Sequence, residues 1–327
     1  MICSDHETSA VDSGVGSIIH AMPFAADPNT RSNDSRAFAA TTEAQFEPGI
    51  SVVIITRDRF ARLVRTLDAV RALVPAPKQI IVVDNASSDD TAQKLAGETD
   101  VHVIRLNDNT GVEAFNIGAA GATRKWLLIL DDDAAPEPES WSRAIKLLDD
   151  QPEIDAIAFN PVHPATGALE WPDASRSCTR FNRMGCANLI RASTWKKYGG
   201  YLAAYFLYRN DTDLALTILS RGGTIHFDPS LRAVHDSPFA AAKSERWLEL
   251  ATRNWIWMGR RHGRGLWKML GILFGVCRAI MFAGLNARRI SCVLRGALQG
   301  LRDAPPTLDV TTDGLAWKSL ITARLGM

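Results

Sequence analysis

The 327-residue sequence predicts an α/β protein: a mostly parallel sheet flanked by helices, followed by a helical, basic C-terminal region. Three patterns predict it. From Ile50 onward, short β-branched runs alternate with stretches of helical apolar spacing. Such alternation gives parallel strands joined by right-handed crossovers. Acidic residues stand at the ends of several apolar runs, where a parallel sheet places its ligands. Finally, residues from Arg253 to Arg302 hold ten Lys or Arg and no acid, against a net −8 over residues 1–252, so the overall +1 is a cancellation.

Taken in order, residues 1–47 are rich in Ser, Thr, Ala, Asp and Asn without apolar periodicity, and read as a loosely ordered extension. Residues 48–240 carry the α/β pattern. Ile50–Thr56 is a buried strand by its continuous apolar run. Phe60, Leu63, Val64, Leu67, Val70 and Leu73 then mark one face of a helix. Gln79–Asp84 is the next strand, and Ser87-Ser88-Asp89-Asp90-Thr91 opens a helix to Leu95 with capping oxygens and acids. Val101–Leu106 and Trp126–Leu130 are strands separated by a helical stretch, Val112–Thr123, and a helix follows near Pro136–Leu148. Residues 241–327 form the basic helical region. Five cysteines, odd in number and without CxxC spacing, argue against a disulfide framework or structural zinc and for a reducing compartment. An N-terminus with acids in place of the cations of a signal peptide adds to a cytoplasmic expectation.

The chemistry gathers at Asp131-Asp132-Asp133, directly after the apolar run Trp126–Leu130. Carboxylates so placed either cap the next helix as a solvated turn or share a cation. Hard oxygen ligands suit Mn²⁺ or Mg²⁺, bound together with substrate phosphates.

The segments around this triplet, from about Ser51 to about Ser237, resemble the family 2 glycosyltransferases, whose nucleotide-sugar-binding fold is called GT-A. Thr56-Arg57-Asp58-Arg59 resembles the family's Thr-x-Asn-Arg turn, with Asp58 where Asn is usual. Ile81-Val82-Val83-Asp84-Asn85-Ala86-Ser87-Ser88-Asp89-Asp90-Thr91 is similar to the second strand and loop, which makes Asp84 the nucleobase ligand. Asn107-Asp108-Asn109-Thr110-Gly111 resembles the Asn-x-Gly loop, with Asn109 at the matching position. Asp131-Asp132-Asp133 corresponds to the DxD signature, so Asp133 is the implied metal ligand, and Asp131 and Asp132 contact the donor, as do Thr56 and Arg57. On the acceptor side Gly185–Arg191 and Tyr198-Gly199-Gly200-Tyr201 have counterparts, Gly185 included. Asn210-Asp211-Thr212-Asp213-Leu214 resembles the helix start that carries the catalytic base, which is then Asp211. Asn210 stands where an acid is common, and Asp213, two residues on, caps or orients. Val234-His235-Asp236-Ser237 is similar to the motif whose His ligates the metal, although His235 could also simply end a buried strand. Arg253-Asn254 resembles a Tyr-x-x-Arg-Asn segment of bacterial rhamnosyl- and galactofuranosyltransferase-like members, with Leu250 in place of Tyr.

The resemblance implies an inverting, Mn²⁺- or Mg²⁺-dependent enzyme. It moves a sugar from a nucleoside-diphosphate sugar to a lipid-linked or growing bacterial glycan, a glycolipid acceptor included. The alternatives are a catalytically silent nucleotide-sugar-binding protein and a sugar-nucleotide nucleotidyltransferase. The latter needs a Gly-rich phosphate loop that Thr56–Phe60 lacks. Trp255 and Trp257 read as core. In the basic region, Arg278 interrupts the run Leu266–Leu285, which disfavours a spanning helix. A helix lying in the interface, with Trp267, Phe274 and Phe282 inward and cations outward, fits an anionic membrane surface at the inner face of the cell membrane. The other reading is a helical subdomain packed on the core. No nucleic-acid-binding motif is present, so nucleic acid is not an expected partner.

Overall fold

Eight strands form one sheet in the order β3-β2-β1-β4-β7-β6-β8-β5. The structure is a computed structural model and describes residues 49–237, 243–303 and 314–325. The extension expected over residues 1–47 lies outside the described residues. The strands are β1 (Ile50–Thr56), β2 (Gln79–Asp84), β3 (His102–Arg105), β4 (Trp126–Asp131), β5 (Ala134–Pro136), β6 (Ala156–Val162), β7 (Ala187–Arg191) and β8 (Ile225–His235). β1, β2, β3 and β4 run parallel, as do β6 and β8; β7 is antiparallel to both β4 and β6, and β5 to β8. The carboxyl ends of β1, β2, β4 and β8 therefore share one edge.

Local sequence explains the elements. The β1 run is continuously apolar because both faces are covered. Ile50, Val52 and Ile54 pack with Leu63, Leu67 and Val70 of α1 (Phe60–Arg71) and with Trp141 and Ile145 of α4 (Pro138–Asp150). Val53 points the other way, into a cluster with Phe115 of α3 (Glu113–Ala120). The helix expected over 87–95 shortens to α2 (Thr91–Leu95). Its forward residues are diverted: the Ser87 amide donates to Asp84 Oδ1 at 2.9 Å and the Ser88 amide to Asp58 Oδ1 at 2.6 Å. Asx contacts of this kind compete with the helical ladder.

Beyond the sheet, α5 (Ala192–Tyr198), α6 (Asn210–Ser220), α7 (Glu245–His262), α8 (Gly265–Ala283), α9 (Ala287–Arg302) and α10 (Leu315–Leu325) follow. α7 packs on α8, α9 and α6, and α10 packs on α6 and α8. Trp317 of α10 is fully buried beside Gly271 of α8, and its indole N–H donates to the Trp267 carbonyl at 2.9 Å. Trp255 and Trp257 are buried, as expected of core residues.

One expectation about α8 is corrected. Trp267 and Phe274 do pack inward, and Phe282 leans on Trp247 at a ring distance of 5.5 Å. The opposite face, however, is apolar rather than cationic: Leu266, Met269, Leu273, Ile280 and Met281 are all exposed. The helix is apolar nearly all round, so filling its inner face still leaves hydrocarbon outside. By length and composition it could cross a bilayer.

Candidate active site

Three strand tips meet at the shared edge. Thr56, at the end of β1, is buried and donates to Asp132 Oδ2 at 2.8 Å. Arg59 Nη1 approaches Asp132 Oδ1 at 3.1 Å, and the Thr66 hydroxyl donates to the Asp132 carbonyl at 2.9 Å. Asp132 thus pins the turn after β4 to β1 and α1, although burial pushes its carboxyl above the usual range. Arg57 is exposed and lies 3.6 Å from Asp58. Asp84, at the end of β2, is fully buried; its Oδ2 has no hydrogen-bond partner among the described residues and Arg105 Nε lies 3.8 Å from it. Asn109 accepts from the Gly111 amide within its own loop at 3.0 Å. That loop docks through Gly111, whose positive φ of 62° and close approach to the Phe206 carbonyl leave no room for a Cβ.

The other two acids of the triplet face β8. β5 pairs Ala134 with His235, and the Asp236 amide donates to the Asp133 carbonyl at 2.9 Å. This register brings Asp131, Asp133 and His235 together, with one ligand atom of each within 4.8 Å of the others. His235 Nε2 lies 3.5 Å from Asp133 Oδ1, while Nδ1 lies 3.2 Å from Glu170 Oε2. A carboxylate behind a histidine fixes the ring and its tautomer in metal sites. Burial pushes Asp131 up to about 7, against the pull of His235 and helped by Asp133, Asp132 and Asp211. Asp133 sits below its ordinary value despite burial, because His235, Arg59 and Arg62 surround it. Arg62 Nη1 donates to Asp133 Oδ2 at 2.8 Å. Two carboxylates and an imidazole, crowded and partly balanced by arginines, could hold a divalent cation. The residues present fit such an ion.

Behind the triad, the Cys186 thiol is buried and pushed up to about 11 by that burial, which suits a packing residue and not a nucleophile. Gly185, just before it, is held at both backbone groups by the Asn188 side chain.

α6 begins at Asn210, and both Asp211 and Asp213 lie in its first turn. Asp211 is half-buried, and burial raises its carboxyl to about 6. Asp213 points elsewhere. It is buried and accepts from Tyr205 Oη at 2.7 Å and Arg261 Nε at 3.0 Å, with His262 Nε2 at 2.9 Å. It ties α6 to α7. The segment ahead of α6 is held open-handed: Phe206, Tyr208 and Arg209 all have positive φ. Such backbone persists only where its surroundings impose it. Here Asn254 Nδ2 donates to the carbonyls of Tyr205, Leu207 and Tyr208 at 3.1, 2.8 and 2.9 Å, and Arg253 Nη2 to that of Tyr205 at 2.9 Å. The Arg253-Asn254 pair is a clamp on the loop that delivers Asp211.

Residues 51–213 match the family model described as glycosyl transferase family 2. The chain carries a family 2 glycosyltransferase domain. An uncharacterized glycosyltransferase of Haemophilus influenzae is 28% identical over 117 residues, which are 36% of this chain and 38% of that protein. The chain therefore spans well under half the length of that relative. Among solved structures, TarS of S. aureus in complex with UDP-GlcNAc superposes with a TM-score of 0.59 at 15% identity, covering 79% of this chain and 82% of that one. A mannosyltransferase of Pyrobaculum calidifontis in complex with GDP-Man and Mn²⁺ gives 0.53 at 16% identity, covering 86% and 82%. The fold of the glycosyltransferase domain is the expected GT-A fold.

The geometry of the glycosyltransferase domain also brings in residues that sequence reasoning missed. Arg62 was readable in principle, since Arg59, Arg62 and Arg65 recur at helical spacing on the polar side of α1. Glu170 was not: it lies in an irregular segment between β6 and β7, with no motif or periodicity around it.

Proposed function

We propose that the chain is an inverting, divalent-metal-dependent glycosyltransferase, with a nucleoside-diphosphate sugar as donor and a lipid-linked or growing bacterial glycan as acceptor. The observation that carries the reading is the meeting of Asp131, Asp133 and His235 at the same sheet edge as the unpartnered oxygen of Asp84. Asp131, Asp133 and His235 would hold the ion, which when bound supplies positive charge to the departing diphosphate. Asp84 Oδ2 accepts from the nucleobase once the exposed Arg105 side chain swings aside. Thr56 and Asp132 fix the turn, Arg59 and Arg62 balance its carboxylates, and Arg57 and Asn109 are the further donor-binding residues that the resemblance implies.

Asp211 takes the proton of the acceptor hydroxyl as that oxygen attacks the anomeric carbon. The bond from that carbon to the diphosphate oxygen breaks, and the nucleoside diphosphate leaves with the electron pair. A carboxyl near 6 is ionised at neutral pH yet close enough to it to act as a general base. A single displacement inverts the anomeric configuration.

Beside the exposed apolar residues of α8, α9 exposes Leu294, Leu298 and Leu301, and residues 253–302 carry ten cations and no acid. This supports docking at the anionic inner face of the cell membrane, with α8 lying in the interface. Rhamnose and galactofuranose donors follow from the Arg253-Asn254 resemblance, while UDP-GlcNAc and GDP-Man come from the structural neighbours. Incubating the chain with each of these donors and Mn²⁺ tests the proposal. Turnover that chelation abolishes, giving a product of inverted configuration by NMR, is the expected result. Saturable donor binding without turnover, or a retained configuration, refutes it.

A further inference from the structure

The acidic turn after β4 is held by cations from a single helix. Arg59, Arg62 and Arg65 follow one another at three-residue spacing from the start of α1. Arg62 Nη1 donates to Asp133 Oδ2 at 2.8 Å and to the Asp236 carbonyl at 3.0 Å, which ties the turn to the end of β8. Arg59 Nη1 lies 3.1 Å from Asp132 Oδ1 and 3.5 Å from Asp133 Oδ2. Among the described residues both guanidiniums spend only Nη1 on hydrogen bonds, and the two side chains are 52% and 38% exposed for Arg59 and Arg62. Nε and Nη2 of each are left as donors at the open sheet edge. α1 starts beside this turn with no acid in its first turn and no side chain capping its amides, which adds positive potential of the same sign.

The same carboxylates are those that would hold the ion, so guanidinium and ion share Asp133. Its Oδ1 faces His235 Nε2 at 3.5 Å, while its Oδ2 carries Arg62. Two like charges on one largely buried carboxylate oppose each other. An ion arriving alone overcharges a turn that Arg59 and Arg62 already balance, and a diphosphate arriving alone meets the carboxylates. Arriving together, they leave the balance as it was. Guanidinium forks match phosphate oxygens in geometry and charge, and Arg62 keeps unspent donors for that purpose.

We propose that Arg62 couples the two ligands: it holds metal affinity down until a diphosphate is bound, and then grips that diphosphate through its unspent donors. The inference rests on the transferase reading for the presence of a diphosphate donor, but binding tests it without turnover. Mn²⁺ alone and the preformed Mn²⁺–pyrophosphate complex are titrated against the full chain by calorimetry. The complex is expected to bind at least about tenfold tighter than Mn²⁺ alone, an ordinary coupling between ligands. Arg62→Ala should bind Mn²⁺ alone about three- to tenfold tighter, having lost a neighbouring like charge. It should bind the complex about tenfold weaker, having lost a charge-assisted contact. Shifts of opposite sign identify the coupling, since a residue that merely orients Asp133 would weaken both. Arg62→Lys keeps the charge without the fork, and should return Mn²⁺ affinity to that of the wild type while recovering only part of the affinity for the complex. Arg65→Ala removes an equal charge from the same helix, where it pairs with Asp236 in the open, and should move either affinity by less than about twofold. The buried face of α1 is Leu63, Thr66, Leu67 and Val70, so these variants keep the fold. Unchanged or weaker Mn²⁺ binding by the Arg62→Ala chain, undiminished binding of the complex, or an equal effect of Arg65→Ala overturns the proposal. A chain that shows the opposed shifts but never turns over any donor overturns the transferase reading instead.

Discussion

Replacing Asp211 by Asn should cripple transfer while making the protein more stable. The carboxyl is raised from 3.8 to about 6, chiefly by burial. At about 1.4 kcal/mol per tenfold change in proton affinity, that rise corresponds to about 3 kcal/mol of destabilisation in the ionised form. Asp211 is only half-buried, and solvent screening brings the figure to about 1–2 kcal/mol. The sign follows from the direction of the rise. Wild-type stability is full below pH 4, falls as pH climbs through about 6, and stays lower above it. The Asn variant titrates no proton there. Denaturation curves in chelator should therefore coincide below pH 4 and diverge above pH 6, the variant melting about 1.5–3 °C higher at neutral pH. Transfer should fall by about 10²–10⁴ with donor affinity intact, and the wild-type acid limb near pH 6 should vanish from any residual rate. Parallel stability curves at every pH would refute the electrostatic reasoning. An unchanged rate would remove Asp211 from the chemistry.

Other outcomes follow from the same geometry. Glu170→Gln should weaken Mn²⁺ binding by about 10–100-fold in calorimetry, because the His235 ring loses the carboxylate behind it. Asp213→Ala leaves Arg261 and His262 buried without their carboxylate and should cost about 3–5 kcal/mol in urea denaturation, whatever the donor. Leu273→Glu with Met281→Glu places charges on the exposed face of α8 and should abolish flotation with vesicles containing anionic lipid, while donor hydrolysis persists.

What the sequence shows of this architecture depends on how local each cause is. β1, β2 and β4 are legible because two covered faces demand continuous apolar runs, and their acidic tips are legible because little but a site explains carboxylates there. The pairing of Asp133 with His235 is not local. It depends on β5, three residues long and too short for any periodic pattern, whose register against β8 decides which side chains meet. Glu170 joins its site from an irregular loop, placed by packing that no spacing encodes. The Arg253-Asn254 clamp is an intermediate case: the pair is visible, but its role emerges only from the three loop carbonyls beneath Asn254. The polarity of α8 is hidden in the sequence for a related reason. Counting cations along the sequence treats charge as if it faced outward, yet Arg278 borders a crevice with Arg209 and Arg324 while hydrocarbon takes the outer face. The cations of the basic region are thus not one outward surface: Arg261 is buried against Asp213 and Arg260 donates to the carbonyls of Gly300 and Leu301, while Arg278 and Arg288 are exposed.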